Sequence, residues 1–116
     1  MKPPILNQGL KLFTIILEFD GVNSVSQVQA TSPDEALQKW EERIGAPGEY
    51  GLKNDDATML IRMIEEERGS HQRDAQIFNR TSSFVRPLND VRNVWSLWPS
   101  IGDRTALINI VGMWSE

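Results

Sequence analysis

The sequence predicts an α+β fold: an antiparallel sheet of about four strands, built from two hairpins, with two helices packed on one of its faces in the order ββααββ. Three observations carry this expectation. Leu12 to Phe19 sets Phe13, Ile15, Leu17 and Phe19 on one face at the period of a strand. Two central stretches place apolar residues at helical spacing behind capping signals. Thr105 to Trp114 then alternates again, with Ala106, Ile108 and Ile110 against Leu107, Asn109 and Val111. The length of 116 residues supports one domain, residues 1–116.

Taken in order, the first strand ends at Asp20-Gly21, a dipeptide that tolerates the positive φ of a tight hairpin turn, so a second strand is expected over Ser24 to Ala30. Val28 and Ala30 fall on one side of it and Val25 on the other. Thr31-Ser32-Pro33-Asp34-Glu35 then starts a helix. Ser32 can accept from the Glu35 N–H, Glu35 can reach back to the Ser32 N–H, and Pro33 sits where a missing N–H costs nothing. Leu37, Trp40 and Ile44 form its buried stripe, and Gly45 with Pro47 is expected to close it. Residues 46–54 read as a loop.

Asn54, Asp55 or Asp56 can cap a second helix with Leu60, Met63 and Ile64 on its inner face and Gly69 as its stop. A stop there would leave Glu65-Glu66-Glu67 opposing the helix dipole. His71 would lie in a polar loop, and residues 70–90 hold only short apolar islands, Gln76-Ile77-Phe78 and Ser83-Phe84-Val85. Asn89-Asp90 reads as a turn, Val91 to Trp98 as a strand, Pro99 to Asp103 as another turn. The last strand is apolar on both faces, which places it centrally, paired with the first strand so that the two hairpins unite.

The net charge of −4 conceals an uneven distribution. Residues 31–70 carry ten acids against five bases, whereas residues 71–116 carry five arginines against four acids. An acidic middle segment repels a phosphate backbone, which disfavours nucleic acid and favours a basic protein partner. No cysteine is present, so disulfides and thiolate chemistry are excluded and the cytoplasm is the expected location. Apolar runs such as Ile15-Ile16-Leu17 are too short for a membrane span, and Met1-Lys2-Pro3-Pro4 opens no signal-peptide pattern.

Residues for enzyme chemistry are sparse. His71 is the one imidazole, and no Gly-x-Ser-x-Gly elbow, P-loop or Gly-x-Gly-x-x-Gly occurs. Asp55-Asp56 and the glutamate run lack the spacing of a calcium loop. No catalytic, cofactor or metal residue is therefore expected. Asn79-Arg80-Thr81 matches a glycosylation sequon, which has no meaning without secretion.

Tryptophan carries more information. Trp40 belongs in the core on helical spacing, whereas Trp95, Trp98 and Trp114 cluster on the C-terminal hairpin beside Arg92 and Arg104. Trp and Arg are enriched among interface hot spots, although in a small domain such rings also supply packing mass. Trp95 and Trp98 are three residues apart and point to opposite faces of a regular strand, so Trp98 is expected to be exposed, with Arg92 and Arg104 at its rim. An exposed indole is covered by a second copy of the chain or offered to a partner.

The strand, Asp-Gly turn, strand and Ala30-Thr31-Ser32-Pro33-Asp34-Glu35-Ala36-Leu37 resemble the opening of HicB-like antitoxins. Similar small acidic α+β chains occur among immunity proteins of bacterial contact-dependent inhibition systems. The resemblance covers the opening third of the chain, and the sequence lacks the basic ribbon or helix-turn-helix tail of an antitoxin repressor. It implies the topology and an inhibitory, toxin-binding role. The expected function is thus a non-enzymatic cytoplasmic protein-binding domain, an immunity or antitoxin-type inhibitor, that presents Trp95, Trp98, Arg92, Arg104, Glu41, Glu42, Glu65 and Glu66 to a basic partner or, for the hairpin, to a second copy in a homodimer. The alternative is a small enzyme or ligand binder with a pocket between helices and sheet that uses Asp55, Asp56 or His71.

Overall fold

Turn chemistry sets the first hairpin. In the computed structural model, which describes residues 9–44, 54–77, 84–88, 92–101 and 103–114, strands β1 (Lys11–Phe19) and β2 (Val22–Ala30) pair from Lys11↔Ala30 to Phe19↔Val22. Only Asp20 and Gly21 are left for the turn. Their φ angles of 50° and 79° are both positive, as a two-residue type I′ turn requires. Phe13, Ile15, Leu17 and Phe19 are buried, as are Val28 and Ala30, while Val25 faces solvent.

Helix α1 (Pro33–Ile44) begins at the expected cap, with the Glu35 N–H donating to Ser32 Oγ at 3.1 Å. The reciprocal bond differs by one residue. Glu35 Oε1 accepts from the N–H of Thr31, at 2.9 Å, rather than from Ser32. Leu37, Trp40 and Ile44 are fully buried, so the stripe read from spacing is the packing face. On its flank, Lys39 Nζ donates to the Gln29 carbonyl and Arg43 Nη1 to that of Gln27, both at 2.8 Å. These bonds occupy acceptors along the outer edge of β2, the kind of edge that otherwise recruits further strands.

Helix α2 (Asn54–Ile77) corrects the sequence reading. It runs for 24 residues, about 36 Å at helical rise, straight through Gly69. Glycine at that position weakens the helix without ending it, because a helix anchored by tertiary packing tolerates the cost of about 1 kcal/mol. His71 consequently lies on a helix and not in a loop, and Glu65, Glu66 and Glu67 sit in mid-helix, away from the C-terminal dipole. Leu60, Met63 and Ile64 are fully buried as expected.

The second half of the sheet contains β3 (Arg86–Pro87), β4 (Val94–Leu97) and β7 (Leu107–Gly112), in the order β2-β1-β7-β4-β3. The sheet therefore has five strands where about four were expected, the fifth being the two-residue β3 next to the apolar island Ser83-Phe84-Val85. The last strand is central, antiparallel to β1 from Phe13↔Gly112 to Glu18↔Leu107. Where a simple turn was expected over Pro99 to Asp103, β5 (Ser100–Ile101) and β6 (Arg104–Thr105) form a separate ribbon. Its register continues that of β4 and β7: Leu97↔Ile108 is followed by the Ala106 N–H donating to the Pro99 carbonyl at 3.0 Å, then Ser100↔Thr105. Pro99, which has no N–H, interrupts one long hairpin without shifting it.

Residues opposite one another in an antiparallel ladder share a face. Leu17, Ile108 and Leu97 form one such row, Ile15, Ile110 and Trp95 the next. With the stripes of both helices and with Val85 the aliphatic members of these rows make a single buried cluster, against which the partly buried Trp95 packs. Among the described residues no helix is long and apolar enough to cross a membrane. The closing glycine of α1, the loop at 46–54, the sequon and the Asn89-Asp90 turn lie outside the described residues.

Candidate functional site

Beyond Gly69 the helical period continues. Glu67, Ser70, His71 and Asp74 stand at i, i+3, i+4 and i+7, one face of α2. That face looks across a pocket of about 280 Å³ at the end of β4, where Ser96, Leu97 and Trp98 form the opposite side. Phe84 and Arg86 close it, one on each side of Val85. The pocket lies where the two-residue β3 ends: opposite Arg86↔Ser96 and Pro87↔Trp95 the edge of β4 is paired, and past Ser96 no described strand pairs with that edge.

Phe84 is held from two directions. Its backbone N–H and that of Val85 donate to the Asp34 carboxylate, fixing the strand-entry segment against the start of α1. Its ring meets the His71 imidazole at a centroid separation of 5.7 Å, and the Arg68 guanidinium lies 5.2 Å from its centroid. Arg68 is itself anchored. Its two terminal nitrogens donate to the two carboxylate oxygens of Glu41 on α1, a forked pair that is largely shielded from water.

Two features of the pocket lining stand out. Ser96 lines it at 2% exposure, and its Oγ has no hydrogen-bond partner, which costs free energy in a folded protein unless something else meets it. Trp98 stands at its rim with 53% of its surface exposed. Two carboxylates, Glu67 and Asp74, face one guanidinium, Arg86, so the lining favours positive charge. Chemically the arrangement offers aromatic faces, hydrogen-bond acceptors and the hydroxyls of Ser70 and Ser96.

The residues expected to bind a partner do not form one patch. Trp98 is exposed, as its position relative to Trp95 required. Trp95 turns to the helix side, packing against Phe13 at 6.0 Å and Trp114 at 6.4 Å between centroids. Arg104 is not at the rim of Trp98. It bonds Asp20 and Asp56 and stacks over Phe19 at 4.8 Å, and these hydrogen bonds, that of Asp20 first, raise its pKa further. The reason is parity: Arg104 and Trp98 occupy opposite faces of the continuous hairpin. Arg92 is exposed in the turn before β4, at the other end of that strand from Trp98. Glu41 is engaged by Arg68, Glu66 lies 3.4 Å from Arg62, and Glu42 and Glu65 are exposed on their helices. Asp55 is exposed in the first turn of α2, and Asp56 belongs to the Arg104 group. His71 does line the pocket.

Sequence reasoning missed Glu67, Ser70, Asp74, Phe84, Arg86 and Ser96 as site residues. The signal for the three on α2 was present in the 3.6-residue spacing that runs unbroken through Gly69, whereas Ser96 carries no local signal, its significance arising from burial alone. Among the described residues, no three His, Asp or Glu side chains are grouped as metal ligands. Compared with known protein families, characterised proteins and solved structures, the chain matches none.

Proposed function

We propose that the chain is a non-enzymatic protein-binding domain that grips a basic partner at the pocket between α2 and β4, in the manner of an immunity or antitoxin-type inhibitor. The observation that carries this reading is Trp98, a half-exposed indole at the rim of a pocket whose wall bears Glu67 and Asp74. Large aromatic rings with adjoining pockets are where binding energy concentrates, and the surrounding acids steer positively charged partners. Glu65 and Glu66, exposed on the same helix, extend that field beyond the pocket. The competing reading, a small enzyme or ligand binder, draws support from His71 lining the same pocket.

Fluorescence anisotropy with short dye-labelled peptides separates the two. Basic peptides are expected to bind in a salt-dependent way, acidic ones of equal length not to bind, and Trp98→Ala to weaken binding about tenfold with the thermal midpoint unchanged. Equal binding of acidic and basic peptides, or basic binding indifferent to Trp98→Ala, removes the support for this reading.

A further inference from the structure

We infer that the pocket between α2 and β4 is a seat for one arginine side chain of the partner, with Trp98 as its stacking face and the buried Ser96 hydroxyl as its inner hydrogen-bonding group. This rests on the reading of the chain as a binder of basic protein. The volume, about 280 Å³, lies at the lower edge of ordinary small-molecule sites and suits a single long side chain.

The lining selects among side chains. An acidic one would face Glu67 and Asp74, two carboxylates against the single guanidinium of Arg86 in the described lining. An apolar one would leave Ser96 Oγ without a partner, as it is in the free protein, and would strip water from the helix acids without replacing its hydrogen bonds. A lysine ammonium is a compact, strongly hydrated charge and gains less from a flat indole. Guanidinium meets each requirement at once. It is planar and stacks on an aromatic face, it forks onto a carboxylate, and its five N–H donors leave one for Ser96 Oγ. The protein already uses this chemistry twice, at Arg68 over Phe84 with Glu41 and at Arg104 over Phe19 with Asp20. Glu67 and Asp74 are seven residues apart, about 10 Å along the helix, so one of them takes the guanidinium and the other remains to meet a neighbouring cation of the partner.

The test titrates the intact protein with blocked tripeptides, Gly-Arg-Gly, Gly-Lys-Gly and Gly-citrulline-Gly, and follows indole N–H shifts by NMR, Trp98 being assigned through Trp98→Phe. The arginine peptide is expected to shift the Trp98 indole and the Ser96 amide and to bind about tenfold more tightly than the lysine peptide, while the neutral citrulline peptide leaves both signals in place. Ser96→Ala removes a hydroxyl that has no partner in the free protein, so the variant folds. It is expected to lower arginine-peptide affinity while leaving lysine-peptide affinity unchanged, and Asp74→Asn with Glu67→Gln to lower both. Equal affinity for arginine and lysine, or no effect of Ser96→Ala, overturns the arginine seat. Basic peptides that bind but shift signals elsewhere overturn the seat and leave the protein-binding reading standing, whereas basic peptides that do not bind at all remove both. Free arginine amide binding as tightly as the tripeptide would assign the pocket to a small ligand rather than a protein.

Discussion

The carboxylate of Asp34 closes on the backbone of Val85, with Oδ1 accepting the Val85 N–H at 3.0 Å and Oδ2 that of Phe84 at 3.3 Å. One side chain in the first turn of α1 thereby supplies acceptors to a strand segment some fifty residues downstream. Asp34→Ala leaves two N–H groups beside a fully buried Val85 and removes an acid from the helix start. A loss on the order of 1–3 kcal/mol is expected in urea denaturation. The same variant should weaken the ring contact of Phe84 with His71, read as a smaller ring-current shift at the imidazole.

Gly69 points the other way. It lies inside α2 with an ordinary helical φ, and a Cβ built there meets only Arg73 Nη1, at 3.5 Å. That is normal contact with the end of a flexible side chain. Gly69→Ala should therefore stabilise the protein by roughly 0.5–1 kcal/mol, a rise in the denaturation midpoint. A fall would mean that the helix needs its flexibility at that turn.

Gly69 also shows where sequence legibility ended. Alternation from Phe13 to Phe19, the Ser32 cap and the stripes of both helices are local patterns, and each is realised in the packing. A glycine inside a helix reads the same as a glycine after one. What decides between them is tertiary contact of the following turns, here His71 against Phe84, which no window of sequence displays. The strand Arg86–Pro87 is invisible for the same reason, being two residues defined by a neighbour and not by a period. The exposure of Trp98 was legible because parity along a strand is local. The pocket beside it was not, since three separate segments build it.

The pH dependence of the α1 cap follows from Glu35, whose pKa is lowered first by the hydrogen bond from the Thr31 backbone and then by Lys39, against some desolvation. A folded-state value below the unfolded one contributes stability that is complete above the ordinary glutamate range and lost as pH falls through the lower folded value. Glu35→Gln should flatten the acid limb of a stability–pH curve by lowering the neutral plateau, while stability at the acid end stays close to that of the unmodified protein. An unaltered acid limb would show that the Thr31 bond does not favour the charged form.

Gly112 is required by its neighbour. It pairs with Phe13 in the ladder, its N–H donates to the Asn93 carbonyl at 2.7 Å, and the Trp114 ring folds over it so closely that a Cβ would overlap the ring. Trp114 in turn stacks edge-on to Phe13 and lies beneath the Lys11 ammonium. Gly112→Ala should expel the indole and cost about 1–3 kcal/mol, with a red shift of tryptophan emission as its signature.

The pairing of β1 with β7 has a consequence for the chain as it is made. Phe13 must find Gly112, a separation of nearly the whole sequence, whereas the β1–β2 hairpin and α1 close over short distances. Loop closure of that span is slow, and contacts of this kind arrive late in folding. During synthesis the first hairpin and both helices leave the ribosome before the strand that becomes their centre. Until Leu107–Gly112 emerges, β1 offers a bare hydrogen-bonding edge and half of the core lacks its floor. Nascent chains halted before residue 107 should therefore be captured by holdase chaperones, while release past Gly112 converts them in one cooperative step to a protease-resistant form.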